Sequence, residues 1–211
     1  MRVDLYWSFY SGYCYLAGVR IERARASRHF DIALRPVRPL AFRHPNLMFD
    51  APPQFMPYYN IDTARMARWL GVPYADPVPE VATLDWSART PAAAQPHIGR
   101  LTGLGIEAER RGKGFAYARA LSDLLFAGGP GWNEGSRLAE ALARAGLDLA
   151  DMDQAVTRDA AAIEAAIDAN GRELLAAGHW GTPTMVYNGE PFFGQDRVEA
   201  LLWRMAETAP S

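Results

Sequence analysis

Residues 3–17 read VDLYWSFYSGYCYLA, and they contain the turn on which the interpretation of this chain depends. Residues 2–7 alternate polar and apolar side chains and are rich in strand-forming residues, which predicts a β-strand. The small polar stretch SFYSG predicts a turn. From Tyr13 to about Arg28 the apolar residues recur at helical spacing. The pattern therefore predicts a strand that ends in a turn and leads directly into a helix.

The next segment completes a parallel crossover unit. Residues 29–37 return to strand character, so the chain opens as β-α-β. Residues 38–60 hold prolines among aromatic residues and methionines, which predicts a long irregular loop of the kind that often carries function. A helix is predicted over residues 60–70. The aromatic and methionine side chains of residues 42–69 are equally consistent with a substrate pocket and with the core.

The middle of the chain is rich in alanine and carries helical patterns without a strand signal. Helices are predicted near residues 92–110, 114–127, 135–145 and 151–178. Strand signals return only over residues 184–187 and 191–193, which are separated by the hairpin turn Asn188-Gly189. A last helix is predicted to open at Gly194-Gln195-Asp196.

This order of elements predicts an α/β fold with a helical insertion. One small sheet would be formed by residues 1–75 together with residues 179–211. Residues 76–178 would form an all-helical domain inserted between these two parts of the sheet. A length of 211 residues allows such a fold to bury a sizeable core.

Composition excludes several classes of function. The 22 basic and 24 acidic residues give a net charge of −2, and no basic stripe of a nucleic-acid binder is present. Neither a signal peptide nor a membrane-spanning stretch is recognisable, so we expect a soluble cytoplasmic protein without a membrane partner. Cys14 is the only cysteine, and the histidines are not paired at ligand spacing, so no metal site is expected.

Two residues of the first turn could carry chemistry. Ser11 precedes the first helix, where unpaired backbone N–H groups and the helix dipole favour an anion. It is either only an N-cap or a group that acts on such an anion. Cys14 is either a small buried apolar side chain or a thiol whose pKa is lowered at the helix start.

The second strand pair is flanked by two further candidate sites. Pro183 enters a strand after a small-residue turn, which makes Thr182-Pro183 a candidate for a cis peptide bond. In that case the Thr182 backbone would be free to pair with an extended peptide-like ligand. Asp196 either caps the final helix or pairs with an ammonium group, while the free N–H groups around it hold a carboxylate. A ligand with an α-amino acid end would supply both the ammonium group and the carboxylate.

Residues 3–17 and GHWGTPTMVYNGEPFFGQDRVEALLW at residues 178–203 together resemble the DsbA-like thioredoxin superfamily. Within it, the chain is most similar to the 2-hydroxychromene-2-carboxylate isomerases and the kappa-class glutathione transferases. The resemblance spans nearly the whole chain. It implies a thioredoxin-like domain that is interrupted by an all-helical domain.

The resemblance also implies a glutathione site. Ser11 replaces the attacking cysteine of redox relatives, lies beside the glutathione sulfur and activates its thiolate. Thr182, before Pro183, pairs through its backbone with the cysteinyl part. Gln195 and Asp196 hold the γ-glutamyl end.

The function implied is that of a glutathione-dependent isomerase or transferase that acts on an aromatic small molecule, as a homodimer. Two alternatives stay open: a thiol redox protein that uses Cys14, and a non-catalytic module that binds glutathione or a peptide. The chain departs from the family pattern at Gly12, where the family has proline, and we expect glycine to loosen the turn. Lys113 is the only lysine, so no lysine is available near the predicted pocket.

Overall fold

The computed structural model describes residues 1–208, and its centre is a four-stranded sheet in the order β2-β1-β5-β6. Strands β1 (Arg2–Trp7) and β2 (Asp31–Pro36) are parallel and are joined by helix α1 (Gly12–Ser27). The predicted β-α-β opening is therefore confirmed. Strand β1 is central because it pairs with a neighbour on each side, and its side chains are largely buried.

The other half of the sheet is the predicted hairpin. Strand β5 (Thr184–Tyr187) runs antiparallel to β1, and β6 (Glu190–Phe193) runs antiparallel to β5. Asn188 and Gly189 connect them with φ values of 50° and 82°. Positive φ at both positions matches the right-handed twist of a two-residue hairpin, and it explains why Asn-Gly occurs here.

The final helix begins as the sequence predicts, next to the sheet. A 3₁₀ turn over Gln195–Arg197 leads into α10 (Val198–Glu207), whose buried side chains include Val198, Leu201 and Met205. Helix α1 packs against both of these elements. The beginning of α1 and the beginning of the last helical segment are thereby held on one body.

The segment at residues 38–60 differs from the predicted irregular loop. It contains two short helices and the first turns of a long one: α2 (Leu40–Arg43), α3 (Pro45–Phe49) and α4 (Phe55–Leu70). Its prolines lie at or near helix starts, where the missing N–H removes no helical hydrogen bond. Their abundance therefore reflects repeated helix initiation.

The helical segment also departs from the prediction in its boundaries. The predicted helix at 151–178 is two helices that meet at Asp159, and both pack against α5. The junction contains neither proline nor glycine, so its sequence gives no signal of a break. Pro96 delays the start of α5 to Ile98. The helices are α5 (Ile98–Arg110), α6 (Gly114–Phe126), α7 (Arg137–Arg144), α8 (Leu149–Arg158) and α9 (Ala160–Ala176).

The observed α/β architecture with a helical insertion agrees with the predicted fold class. A short ladder between β3 (Leu84–Asp85) and β4 (Thr90–Pro91), which the sequence did not indicate, precedes the helices. Helices α5, α6 and α9 contact β2 directly, and the exact division at residues 75/76 and 178/179 stays a prediction. None of the helices in residues 1–208 is both long and apolar enough to cross a membrane.

Candidate active site

Ser11 closes the turn after β1 and caps α1. Its backbone is extended, with φ −131° and ψ 114°, and its Oγ accepts a hydrogen bond from the Cys14 N–H at 3.3 Å. The predicted N-cap is therefore confirmed. Accepting this bond uses an oxygen lone pair, so the hydroxyl group still has a proton to donate. Ser11 also lines a cavity, and the cap is therefore compatible with a functional role.

The cavity has a volume of about 400 Å³ and opens beside the N-terminus of α1. The turn before α1 and the turn before β5 supply one wall. Helices α2 to α4 supply another, through apolar side chains that include Met48, Phe55 and Met56. Part of the aromatic and methionine content of residues 42–69 is thus pocket surface. Large aromatic residues at its rim include Trp86, Trp180 and Phe193.

The backbone of Gly12 is tied to a side chain of α4, and the expected loosening of the turn stays a prediction. Its N–H donates a hydrogen bond to the Tyr59 hydroxyl oxygen at 2.7 Å. A Cβ at residue 12 would lie 2.5 Å from the Tyr74 hydroxyl oxygen and 3.0 Å from that of Tyr59. Two phenol groups therefore pack where any side chain would be. A side chain at residue 12 would have to displace the ends of these two tyrosines, which favours glycine here.

Cys14 lies beneath the cavity and is fully buried, which confirms the apolar interpretation of this residue. Burial raises the pKa of its thiol to about 11, although the Ser8 backbone and the Ser11 and Thr182 hydroxyls act in the opposite direction. A thiol that is buried and protonated at neutral pH is a poor nucleophile. Cys14 therefore lacks both the exposure and the acidity of a redox cysteine.

The Thr182-Pro183 peptide bond is cis, as predicted. Thr182 lines the cavity that Ser11 lines. Within residues 1–208, no hydrogen-bond partner is found for the main-chain N–H and C=O of Thr182. An extended ligand can therefore use these groups in the manner of a neighbouring strand.

Gln195 and Asp196 lie next to this turn but outside the described lining of the cavity. The Gly194 N–H donates to the Pro183 carbonyl at 2.9 Å, which joins the two loops. Gln195 is buried, and its Oε1 accepts a hydrogen bond from Arg20 Nε at 2.8 Å. The Asp196 side chain is 53% exposed, which leaves its carboxylate accessible to a ligand.

Of the two interpretations of Asp196 that the sequence left open, the helix cap is wrong. Neither the 3₁₀ turn nor α10 has a side-chain hydrogen bond at its N-terminus, and the residue in the capping position of the turn is Gly194, with φ 111°. The Asp196 carboxylate instead lies 3.3 Å from the Arg197 guanidinium. Its proximity to the helix start still places negative charge where the dipole favours it.

The described lining of the cavity contains no Lys, Arg or His, but it contains the carboxylates of Asp76 and Glu80. Asp76 accepts a hydrogen bond from the Tyr74 hydroxyl at 3.0 Å. Burial, followed by the charges of Glu80 and Asp76, raises the pKa of Tyr10 to about 12. The part of the cavity next to Tyr10 is therefore negative in character.

Arg43 is a cation close behind this cavity. Its Nε donates to the Arg38 carbonyl at 2.7 Å, and its Nη1 donates to the Trp180 carbonyl at 2.9 Å. Burial lowers the pKa of Arg43 to about 10, and the Cys14 thiol acts against that effect. These contacts hold the guanidinium as a support for the loop before β5.

Sequence reasoning missed Tyr59, Asp76 and Glu80. Tyr59 belongs to a segment rich in aromatic residues, but nothing in its spacing connects it to Gly12, which lies 47 positions away. Asp76 and Glu80 follow α4 in a proline-containing stretch that resembles an ordinary surface loop. The described residues also contain no group of three His, Cys, Asp or Glu side chains able to hold a metal ion.

The fold and the turn at Ser11 define a thioredoxin-like protein with a helical insertion. The sequence profile of the DSBA-like thioredoxin domain matches residues 99–206, just over half of the chain. The chain therefore belongs to the DSBA-like thioredoxin domain family. No curated protein sequence is significantly similar to it.

Solved structures of the same fold span the whole chain. A 2-hydroxychromene-2-carboxylate isomerase superposes with a TM-score of 0.70 at 20% identity and covers 98% of this chain and 95% of its own. A probable DsbA oxidoreductase from Streptomyces coelicolor gives 0.68 at 20% identity, with coverage of 100% and 92%. The cytosolic disulfide reductase DsbM from Pseudomonas aeruginosa, solved with glutathione, gives 0.62 at 18%, with coverage of 98% and 100%. At these identities the likeness establishes the fold.

Proposed function

We propose that this protein is a glutathione-dependent isomerase or transferase that acts on an aromatic small molecule, with Ser11 as the residue that activates the glutathione thiolate. The observation that carries the proposal is a juxtaposition on one cavity. The Ser11 hydroxyl at a helix N-terminus lines the same cavity as Thr182, whose main-chain N–H and C=O have no hydrogen-bond partner among residues 1–208. A short peptide with a central thiol is the ligand that uses both.

The residues present fit glutathione along its length. Thr182 offers a main-chain donor and acceptor to the cysteinyl part. The hydrogen bond from the Gly194 N–H to the Pro183 carbonyl connects the Gln195–Asp196 turn to the turn before β5, which supports a role for it at the γ-glutamyl end. There the Asp196 carboxylate is available to the ammonium of the γ-glutamyl end, and free N–H groups are available to its carboxylate. The Gln195 side chain is held by Arg20, so this residue contributes through its backbone.

Bound glutathione supplies a nucleophilic thiolate that adds to an electron-poor double bond. The addition is reversed in an isomerase, whereas the adduct is the product of a transferase. Ser11 donates a hydrogen bond from its hydroxyl group to this sulfur and stabilises the anion. The N-terminal dipole of the 16-residue helix α1 acts in the same direction. Trp86, Phe55 and Trp180 form an apolar surface that orients a flat aromatic substrate and keeps water from it.

The alternative in which Cys14 performs thiol redox chemistry has weaker support. Dithiol exchange needs an accessible thiolate, whereas Cys14 is fully buried and its pKa is raised to about 11. In addition, Ser11 occupies the position of an attacking thiol and cannot take part in exchange. A non-catalytic glutathione-binding module is the remaining alternative, and turnover distinguishes it.

Calorimetric titration of the purified protein with reduced glutathione tests the proposal. We expect saturable binding that weakens about 10-fold in Asp196→Ala, because the ammonium group loses a charged partner. Asp31→Ala is the control, since that carboxylate is also exposed but lies at the start of β2. Absence of binding at millimolar glutathione would contradict the proposal.

A panel of conjugated aromatic electrophiles then separates the activities. A rearranged product that carries no glutathione identifies an isomerase. A product to which glutathione stays attached identifies a transferase. Binding without turnover across the panel would favour the non-catalytic module.

A further inference from the structure

We propose that the hydroxyl group of Tyr59 is a second hydrogen-bond donor to the glutathione thiolate, beside Ser11. The inference rests on the proposed function, because it concerns the same sulfur. It makes Tyr59 a catalytic residue of that site. The hydroxyl groups around the cavity differ in whether a neighbouring group already accepts their proton.

Ser11 and Tyr59 share the same hydrogen-bonding arrangement. Ser11 Oγ accepts the Cys14 N–H at 3.3 Å, and the Tyr59 hydroxyl oxygen accepts the Gly12 N–H at 2.7 Å. A hydroxyl group that accepts one bond still has one proton to donate. Among the described residues, the Tyr59 proton has no acceptor at hydrogen-bond distance, while the Ser11 hydroxyl lies close enough to the Cys14 thiol and the Tyr59 phenol to lower the pKa of both. Both side chains line the same cavity.

The neighbouring tyrosines are not equivalent to Tyr59. The Tyr13 hydroxyl donates to Asp62 at 3.0 Å, and the Tyr74 hydroxyl donates to Asp76 at 3.0 Å. Their protons are held by carboxylates, which makes them unavailable to a ligand anion. Tyr59 packs edge-to-face against Tyr13, with ring centroids 4.9 Å apart, and this contact fixes its ring. The side chains around Tyr59 therefore hold its position and leave its proton free.

The Tyr59 hydroxyl stays protonated at neutral pH. Burial raises the pKa of Tyr59 well above its ordinary value, while the Gly12 N–H and the nearby Ser11 hydroxyl lower it by smaller amounts. A neutral phenol can donate to an anion without adding a second negative charge beside it. The hydrogen bond from the Gly12 N–H also polarises the phenol and strengthens it as a donor.

Two fixed donors that face one position stabilise an anion more than one donor does, in the manner of an oxyanion hole. A thiol bound there loses its proton to solvent more readily, and Ser11 and Tyr59 both keep theirs. Gly12 is part of this arrangement, because its N–H orients the phenol and its missing side chain lets the phenol approach. The pKa of the thiol group of bound glutathione is therefore the quantity that reports on the role of Tyr59.

The test is the pH titration of the glutathione thiolate in its complex with the protein, followed by ultraviolet absorbance. In Tyr59→Phe we expect the pKa of the bound thiol to rise by about 1 to 2, the effect of losing one hydrogen bond to a charged group. Tyr58→Phe is the matched control, since that neighbouring side chain is 58% exposed. Its complex should titrate like the wild type.

A second substitution keeps the test decisive if Tyr59→Phe disturbs folding. Replacement of Tyr59 by 3-fluorotyrosine preserves its shape and hydrogen bonds but makes the phenol more acidic, so it should lower the pKa of the bound thiol. A purely structural tyrosine would produce no such shift. If both variants bind glutathione and the pKa of its bound thiol is unchanged in both, the role of Tyr59 is overturned and the proposed function is not affected. Failure of the wild type to bind glutathione overturns the proposed function and this inference with it.

Discussion

At the scale of single residues, Ser11 combines a helix cap with a proposed contact to sulfur, and the two roles can be measured separately. Ser11→Ala should lower the free energy of unfolding by about 1 kcal/mol, because the Cys14 N–H loses its acceptor. It should lower kcat/KM by about 10- to 100-fold, because one hydrogen bond to a charged group is lost.

Thermal unfolding measures the first effect of Ser11→Ala, and steady-state kinetics with glutathione measures the second. Ser11→Cys should not restore native kinetics, because a thiol in this place is a weaker donor and a competing nucleophile. Wild-type activity in Ser11→Ala would show that the residue is only a cap.

Gly12 is a packing requirement at the same turn. Gly12→Ala should destabilise the protein by about 1 to 3 kcal/mol, because its Cβ would displace the Tyr74 and Tyr59 phenols. Gly99→Ala is a suitable control, since a Cβ there meets nothing within 4 Å and alanine is a better helix former. Chemical denaturation of the two variants should give opposite signs. Equal stability of Gly12→Ala and the wild type would contradict the close approach.

The buried thiol of Cys14 should make the free energy of unfolding depend on pH in the alkaline range. Its pKa is raised from 9.0 to about 11, so the folded state binds more protons than the unfolded state between these values. This contribution to stability is complete below pH 9.0 and declines as the pH rises to about 11. Denaturation series over that range should show a shallower decline for Cys14→Ala. Identical slopes in the two proteins would contradict the raised pKa.

At the scale of elements, one buried arginine joins the first helix to the start of the last helical segment. Arg20 on α1 donates to Gln195 at 2.8 Å and to Glu199 at 2.6 Å, and it lies over the ring of Trp69. Its side chain is only 6% exposed. The position of the Gln195–Asp196 turn relative to the N-terminus of α1 therefore depends on this contact.

Arg20→Met should test that dependence. We expect a loss of about 1.5 to 3 kcal/mol in the free energy of unfolding, because buried Gln195 is left without its charged donor. Glutathione binding should also weaken, since the turn proposed to hold its γ-glutamyl end loses an anchor. Arg158→Met, at an arginine that is 69% exposed, is the control. An unchanged Kd for glutathione in Arg20→Met would show that glutathione binding does not depend on the position of the Gln195–Asp196 turn.

At the scale of the whole molecule, chain segments from both ends of the sequence produce a cavity with uneven charge. Asp76 and Glu80 face it, and no Lys, Arg or His belongs to its described lining. A substrate carboxylate placed near Tyr10 would therefore meet charges of its own sign without a cationic partner. We therefore expect the protein to prefer a neutral or cationic aromatic electrophile as its substrate.

Paired substrates of equal size test this preference. An aromatic electrophile with a neutral amide should have a KM lower than its carboxylate analogue by on the order of 10-fold. The double variant Asp76→Asn, Glu80→Gln should reduce the difference, and added salt should reduce it in the wild type. A preference for the carboxylate that survives in the double variant would show that another group binds it.

The sequence by itself determined the elements that depend on local rules. Alternation made β1 a strand, Ser11 capped α1, and Asn188-Gly189 closed the hairpin, because each depends on residues a few positions apart. The turn motifs also placed Ser11 after β1 and Thr182 just before β5. Both line the cavity in the structure.

Only the tertiary structure decided features that join distant residues. The break at Asp159 separates two helices that both pack against α5, and no proline or glycine in the sequence marks it. Tyr59 meets Gly12 through folding alone, and Asp76 and Glu80 give the cavity its charge only once α4 is in place. A short pattern records what a residue prefers locally, whereas the partner of a side chain and the sign of the field around it depend on the whole fold.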